Sequence, residues 1–237
     1  MAGVGNRKFL WVLRHAKAAD PTPDVLDRDR ALTVRGRADA KALGDRLTAE
    51  IPRALLPTFV LCSTAARAME TADVVVACLP AANRPRVRRS GALYETDAEG
   101  ALQQVREVDD RYQSALLVGH NPSLAELAWS LIDPDPPWDD DLAHGPDQDR
   151  ARGRHWQRGW RRLVGRGRGL TQDLDREPGA DHGSPEGRDG SGANGRALLA
   201  RTGLATCGLV VLEIPVPSWG QVRWGTGTLV ELLTPPY

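Results

Sequence analysis

The sequence predicts an α/β fold: a mostly parallel sheet covered by helices on both faces, a three-layer α/β/α sandwich broken by one disordered insertion. Three observations predict it. Residues 8–132 alternate short apolar runs with stretches of helical periodicity, the pattern of parallel strands joined by crossover helices. Residues 197–237 return to strand-like apolar runs. Between them the composition changes abruptly, first to Asp and Pro, then to Arg and Gly, then to Gly, Ser and Asp. Such a stretch buries too little apolar area to offset the entropy of ordering it. The expected organisation is therefore residues 1–133 as the first part of one α/β domain, 134–196 as the insertion, and 197–237 as strands completing that domain. The roughly forty residues after the insertion are a thin basis for a second core.

The elements follow in order. Residues 9–13 (FLWVL) are a continuous apolar run, so a buried strand. Thr33 is a good N-cap for a helix over 34–49, with Leu43 and Leu47 on one face. Residues 58–62 read as the second strand, with Ser63 or Thr64 capping a helix to about residue 79. A short strand at 86–88 leads to a loop at 91–97 and a helix over 98–108. Residues 115–119 form the next strand. Asn121 is a candidate N-cap, with Pro122 at the first position of a helix to 132. Residues 208–214 and 221–232 read as strands, and a transient helix is expected near 156–163.

Composition limits the function. Lys plus Arg and Asp plus Glu both number 31 in the 237 residues. The overall field is weak, and neither nucleic acid nor membrane is expected as a bulk partner. Within the insertion, Arg150 to Arg168, with Trp156 and Trp160, has the ingredients of a nucleic-acid contact, although the neighbouring Asp-rich run can pair with it instead. Apolar stretches fall short of the ~20 residues that span a bilayer. Residues 1–8 lack the apolar core of a signal peptide, so a cytoplasmic location is expected. Cys62, Cys78 and Cys207 have no metal-ligand spacing and sit in apolar runs, which reads as three buried free thiols.

In such sheets chemistry sits beyond the carboxyl ends of the strands. The first strand ends in Arg14-His15, which taken alone is either a functional pair or an ordinary polar strand end. Arg67 falls in the first turn of the helix after the second strand. A cation there opposes the helix dipole. It makes sense if an anion sits between helix and guanidinium, or if the side chain merely covers apolar surface. His120 follows the strand at 115–119. The case rests on convergence, since two histidines and two arginines fall at three strand ends on one edge. Two guanidinium groups grip a phosphate by bidentate hydrogen bonds. Two imidazoles beside them suit one nucleophile and one stabiliser of charge. Neighbouring cations disfavour imidazolium, which keeps a nucleophilic histidine neutral.

Leu13 to Ala18 resembles the Arg-His-Gly/Ala signature of the histidine phosphatase superfamily, whose fold is the phosphoglycerate mutase-like sandwich. Arg30-Ala31-Leu32-Thr33-Val34-Arg35-Gly36, residues 63–72 (STAARAMETA) and residues 118–122 (VGHNP) resemble its further motifs, in order, over residues 8–132. Residues 202–224 are similar to the tail of the small SixA-type phosphohistidine phosphatases. The resemblance implies that His15 takes up the phosphoryl group, that Arg14, Arg67 and His120 hold it, and that water hydrolyses the phosphohistidine. It implies neither metal nor other cofactor.

Larger relatives use a glutamate as general acid. Glu95 is the nearest candidate, or a solvated loop carboxylate. An alkoxide leaving group needs a proton in the transition state, whereas an imidazole is far less basic. A site with a weak acid therefore suits N–P cleavage. Lys17 attracts an anionic substrate or is simply solvated. The expected substrate is a phosphorylated protein, with a small phosphorylated metabolite as the alternative and a phosphate-binding module without turnover as the third reading.

Overall fold

The computed structural model describes residues 7–133, 199 and 203–237. The expected insertion at 134–196, with its Arg-rich segment at 150–168 and the helix expected near 156–163, lies outside the described residues. Six strands form one sheet: β1 (Lys8–Arg14), β2 (Phe59–Ser63), β3 (Arg86–Ser90), β4 (Ser114–Gly119), β5 (Leu209–Ile214) and β6 (Thr228–Leu233), in the order β3-β2-β4-β1-β5-β6. Contacts among β1 to β4 are parallel, and β5 and β6 add antiparallel. The helices are α1 (Val34–Glu50), α2 (Ala66–Cys78), α3 (Ala98–Arg106) and α4 (Ser123–Ile132).

Alternation along the strands assigns each face. Trp11, Leu13, Val60, Cys62, Leu116 and Val118 point toward α1 and α2, where they meet Ala40, Leu43, Leu47, Ala68, Ala72 and Val75. Leu10, Val12, Leu61, Ala115 and Leu117 point the other way, against Leu102, Val105, Leu124 and Leu127 of α3 and α4. The period of two sorts the strand residues between the cores, and the central strands are apolar throughout because both faces are covered. The edge strand β3 carries Arg86, Arg88 and Arg89, charges that discourage further pairing there. No helix among the described residues is long and apolar enough to cross a membrane.

Four local expectations change. Neither Ser63 nor Thr64 caps α2, whose N-cap is Ala65 with no side-chain bond. Asn121 does not cap α4, whose N-cap position is Pro122. Both polar side chains are used in tertiary bonds instead, Ser63 toward His120 and Asn121 toward Leu204. The last strand starts at Thr228 rather than 221, because Trp219–Gln221 is a short 3-10 turn. The indole of Trp219 is fully buried and donates to the Tyr112 carbonyl (2.8 Å), while its backbone N–H donates to the Asp110 carboxylate (2.7 Å). Those bonds hold the segment against the loop before β4 and delay the strand. Finally, Cys62 and Cys207 are buried free thiols, but Cys78 is only half-buried, since it ends α2 at the rim of the α1–α2 contact.

Candidate active site

Strand register brings three carboxyl ends together. Arg14 lies opposite Gly119 and Cys62 opposite Val118, so His15 and His120 directly follow the ends of β1 and β4, and Ser63 ends β2 one residue beyond its pairing with β4. The His15 N–H continues the ladder by donating to the Gly119 carbonyl (3.0 Å). The rings of His15 and His120 stand 5.1 Å apart between centroids.

The loop after β1 is held by α1 and α2. Ala16 N–H donates to Thr71 Oγ1 (3.0 Å), and that hydroxyl donates to the Arg67 carbonyl (2.6 Å). The Lys17 carbonyl accepts from both the backbone N–H (2.9 Å) and the hydroxyl (3.0 Å) of Thr33, and Thr33 Oγ1 caps α1 by accepting from Gly36 N–H (3.0 Å). Gly36 is required here, because a Cβ would lie 2.2 Å from the Lys17 carbonyl oxygen. The Arg30 to Gly36 segment therefore fixes the backbone two residues beyond His15.

Residues after the insertion back the site from the other side. The Leu204 carbonyl accepts from Arg14 Nη1 (3.0 Å) and from Asn121 Nδ2 (2.8 Å). Cys207, at φ 61°, donates its N–H to the His15 carbonyl (3.2 Å), and Arg14 N–H donates to the Gly208 carbonyl (3.1 Å). The Tyr237 hydroxyl donates to the Cys207 carbonyl.

The histidines are neutral by environment. His15 falls to about 4, first because burial penalises the charged ring, then because Arg67, Arg14 and Arg30 repel a proton, against an opposing bond to Ala16. His120 falls to about 3 by burial and by the charges around it. A carbonyl can only accept, so the 2.8 Å contact to Ala16 fixes the His15 proton on Nδ1 and leaves the lone pair on Nε2. His120 Nε2 lies 2.9 Å from Ser63 Oγ. Arg14 Nε, Arg67 Nε and His120 Nδ1 are buried without a hydrogen-bond partner among the described residues. Buried polar atoms are seldom left so, and three nitrogens beside a neutral histidine make an arrangement suited to an oxyanion.

One residue was missed from sequence. Asp27, in the loop between β1 and α1, gathers the surrounding cations. Arg67 Nη1 donates to its backbone carbonyl (2.6 Å) and Nη2 to its carboxylate (2.9 Å). Arg30 pairs with the other carboxylate oxygen (2.7 Å), and the Tyr94 hydroxyl donates to the same oxygen as Arg67 (2.8 Å). Burial raises the Asp27 carboxyl, but the bonds from Tyr94, Arg30 and Arg67 outweigh it and hold it at about 2. Tyr94 also sets its ring edge against His120, 5.7 Å between centroids. The clue in sequence was Arg67 itself, whose place in the first turn of α2 called for an anion. Glu95 lies in the turn after Tyr94, exposed and without a hydrogen bond or ion pair among the described residues. Lys17 is also exposed, 3.8 Å from Asp20.

Comparison with known proteins bears on the family and the fold. The profile of the Histidine phosphatase superfamily (branch 1) matches residues 10–118. An uncharacterized protein of Mycobacterium leprae is 33% identical over 122 residues, 50% of this chain and 70% of that protein. An uncharacterized protein of Mycobacterium tuberculosis is 34% identical over 116 residues, 49% of this chain and 67% of that protein. Among solved structures, a candidate SixA phosphohistidine phosphatase from Nakamurella multipartitia superposes with a TM-score of 0.61 at 22% identity, covering 98% of each chain. The protein histidine phosphatase SixA complexed with tungstate superposes at 0.53 with 15% identity, covering 96% of this chain and 97% of that one. These two likenesses are of fold. Taken with the family profile and the mycobacterial relatives, the chain belongs to the histidine phosphatase superfamily, branch 1, and is a phosphatase.

Proposed function

We propose that the chain dephosphorylates phosphohistidine in proteins through a phosphoryl group carried on His15. The observation that carries this reading is the His15 ring, with Nδ1 tied to Ala16 and no hydrogen bond on Nε2 among the described residues, beside three nitrogens that lack partners among those residues. In the first step the Nε2 lone pair attacks phosphorus. The substrate N–P bond breaks and its electron pair returns to the departing imidazole, which takes a proton from water. Arg14, Arg67 and His120 donate to the equatorial oxygens, where charge is spread in the transition state. Water then attacks the phosphorus on His15, the N–P bond breaks, and inorganic phosphate leaves a neutral imidazole.

The leaving group follows from the acids available. Asp27 is held ionised by its donors, so it has no proton to give. Glu95, the candidate acid, stands in solvent. Such a site suits imidazole better than an alkoxide. Leu26, 69% exposed directly before Asp27, offers an apolar contact of the kind a protein substrate uses. The tungstate held by the similarly folded SixA is an oxyanion of phosphate's shape, in keeping with a site for phosphoryl groups.

The alternative substrate is a small phosphomonoester, favoured by the place of Glu95 in sequence beside Tyr94. Turnover of a phosphohistidine peptide and of an alkyl phosphate is measured for wild type, His15→Ala and Glu95→Gln. The expected result is rapid peptide turnover, trapping of phosphate on His15 by rapid quench, and full peptide turnover in Glu95→Gln. Faster alkyl-phosphate turnover that collapses in Glu95→Gln would establish the alternative. Undiminished turnover in His15→Ala would sink both.

A further inference from the structure

Arg67 is buried, yet both of its terminal nitrogens are occupied by one residue of the chain itself. Asp27 takes one N–H of Nη1 on its backbone oxygen and one of Nη2 on its carboxylate, while Nε is buried with no partner among the described residues. A guanidinium is planar and rigid, so fixing two nitrogens fixes the direction of the third. The Asp27 carboxylate is itself held from both sides, by Arg30 on one oxygen and by Tyr94 on the other. Asp27 is half-exposed and packs into no core, so burial does not explain its four polar contacts.

We propose that Asp27 is a positioning residue of the phosphatase, setting the Arg67 guanidinium so that its Nε edge faces the phosphoryl group. Asp27 touches no substrate. It acts through Arg67, and Tyr94 and Arg30 hold it in place. This rests on the reading of Arg67 as a phosphate ligand. The chemistry needs a carboxylate. In Asp27→Asn one oxygen becomes an N–H₂ group, which meets either the guanidinium of Arg30 or the guanidinium and hydroxyl of Arg67 and Tyr94. Every one of those partners is a donor, so whichever way the amide turns, one side loses its acceptor.

The test is calorimetric titration of tungstate, as a probe oxyanion, into wild type, Arg67→Ala, Asp27→Asn and the double variant. Thermal unfolding checks each fold. The expected result is binding by wild type, a large loss in Arg67→Ala, and at least ~10-fold weaker binding in Asp27→Asn, the size of one charge-assisted hydrogen bond. In the Arg67→Ala background Asp27→Asn should change nothing further, because the two act as one unit. A purely structural role would lower the number of competent sites and leave the dissociation constant of the rest unchanged. Unchanged or tighter binding in Asp27→Asn, with Arg67→Ala impaired, overturns the inference alone. No binding by wild type, or full binding by Arg67→Ala, overturns the phosphate-ligand reading beneath it. If Asp27→Asn does not fold, Tyr94→Phe decides: it removes one donor from the same carboxylate and should weaken binding by a smaller factor, whereas an unchanged constant refutes the inference.

Discussion

Replacing His15 by Asn should make the protein more tolerant of acid. The unfolded chain protonates an imidazole near 6.5, whereas the folded chain holds His15 unprotonated down to about 4. Acidification through that window adds a proton to the unfolded state and not to the folded one, so it favours unfolding. At about pH 5 the unfolded imidazole is almost fully charged and the folded one about a tenth charged, a cost of about 2 kcal/mol relative to about pH 7.5. His120, held at about 3, adds a second cost of about 2 kcal/mol in the same interval. Urea unfolding in buffer without oxyanions should show wild type losing about 4 kcal/mol from these two rings between the two pH values, and His15→Asn about half of that. Other acid-labile groups are common to both proteins and cancel in the difference. Equal losses in wild type and His15→Asn would refute the claim that His15 is buried as a neutral ring, and with it the basis for its nucleophilicity.

The same depression protects the rate: kcat/KM on a phosphohistidine peptide, which reports the free enzyme, should show no loss from His15 protonation between about pH 7 and about pH 5, where an ordinary imidazole would be only about 3% neutral; a fall with a midpoint near 6.5 that the substrate's own titration does not account for would contradict it. Gly36→Ala drives a methyl into the Lys17 carbonyl and should cost about 1–3 kcal/mol by thermal unfolding, with a lower kcat from the displaced loop. Thr71→Val leaves the buried Ala16 N–H without an acceptor, so it should cost about 1–3 kcal/mol and slow rapid-quench labelling of His15. Glu95→Gln should leave the unfolding midpoint in urea unchanged, since the side chain is exposed and makes no hydrogen bond or ion pair among the described residues.

The strand ends were legible because buried parallel strands are written as unbroken apolar runs and are followed by the residues they present. Leu13-Arg14-His15 and Val118-Gly119-His120 needed only that rule. Thr33 was legible because its cap is local, three residues from Gly36. Ser63 and Asn121 look the same in sequence, but their side chains bond to His120 and Leu204, 57 and 83 positions away, and local capping rules do not register such partners. Asp27 escaped for the same reason. It sits in a polar loop without periodicity, and its partners Arg67 and Tyr94 are 40 and 67 positions distant.

Among the six strands, the one that carries the nucleophile waits longest for its second neighbour. β1 finds its neighbours at residues 114–119 and 209–214, so Lys8 pairs with Ile214 across almost the whole chain. At translation rates of roughly 5–20 residues per second, about 10–40 s separate the emergence of β1 from that of β5. Through that interval an apolar strand, FLWVL, waits with at least one edge unpaired, a template for pairing between nascent chains. Contacts so remote in sequence also slow the closing step of folding. The geometry that makes His15 reactive thus ties yield in the cell to how well this one strand is shielded until its last partner arrives.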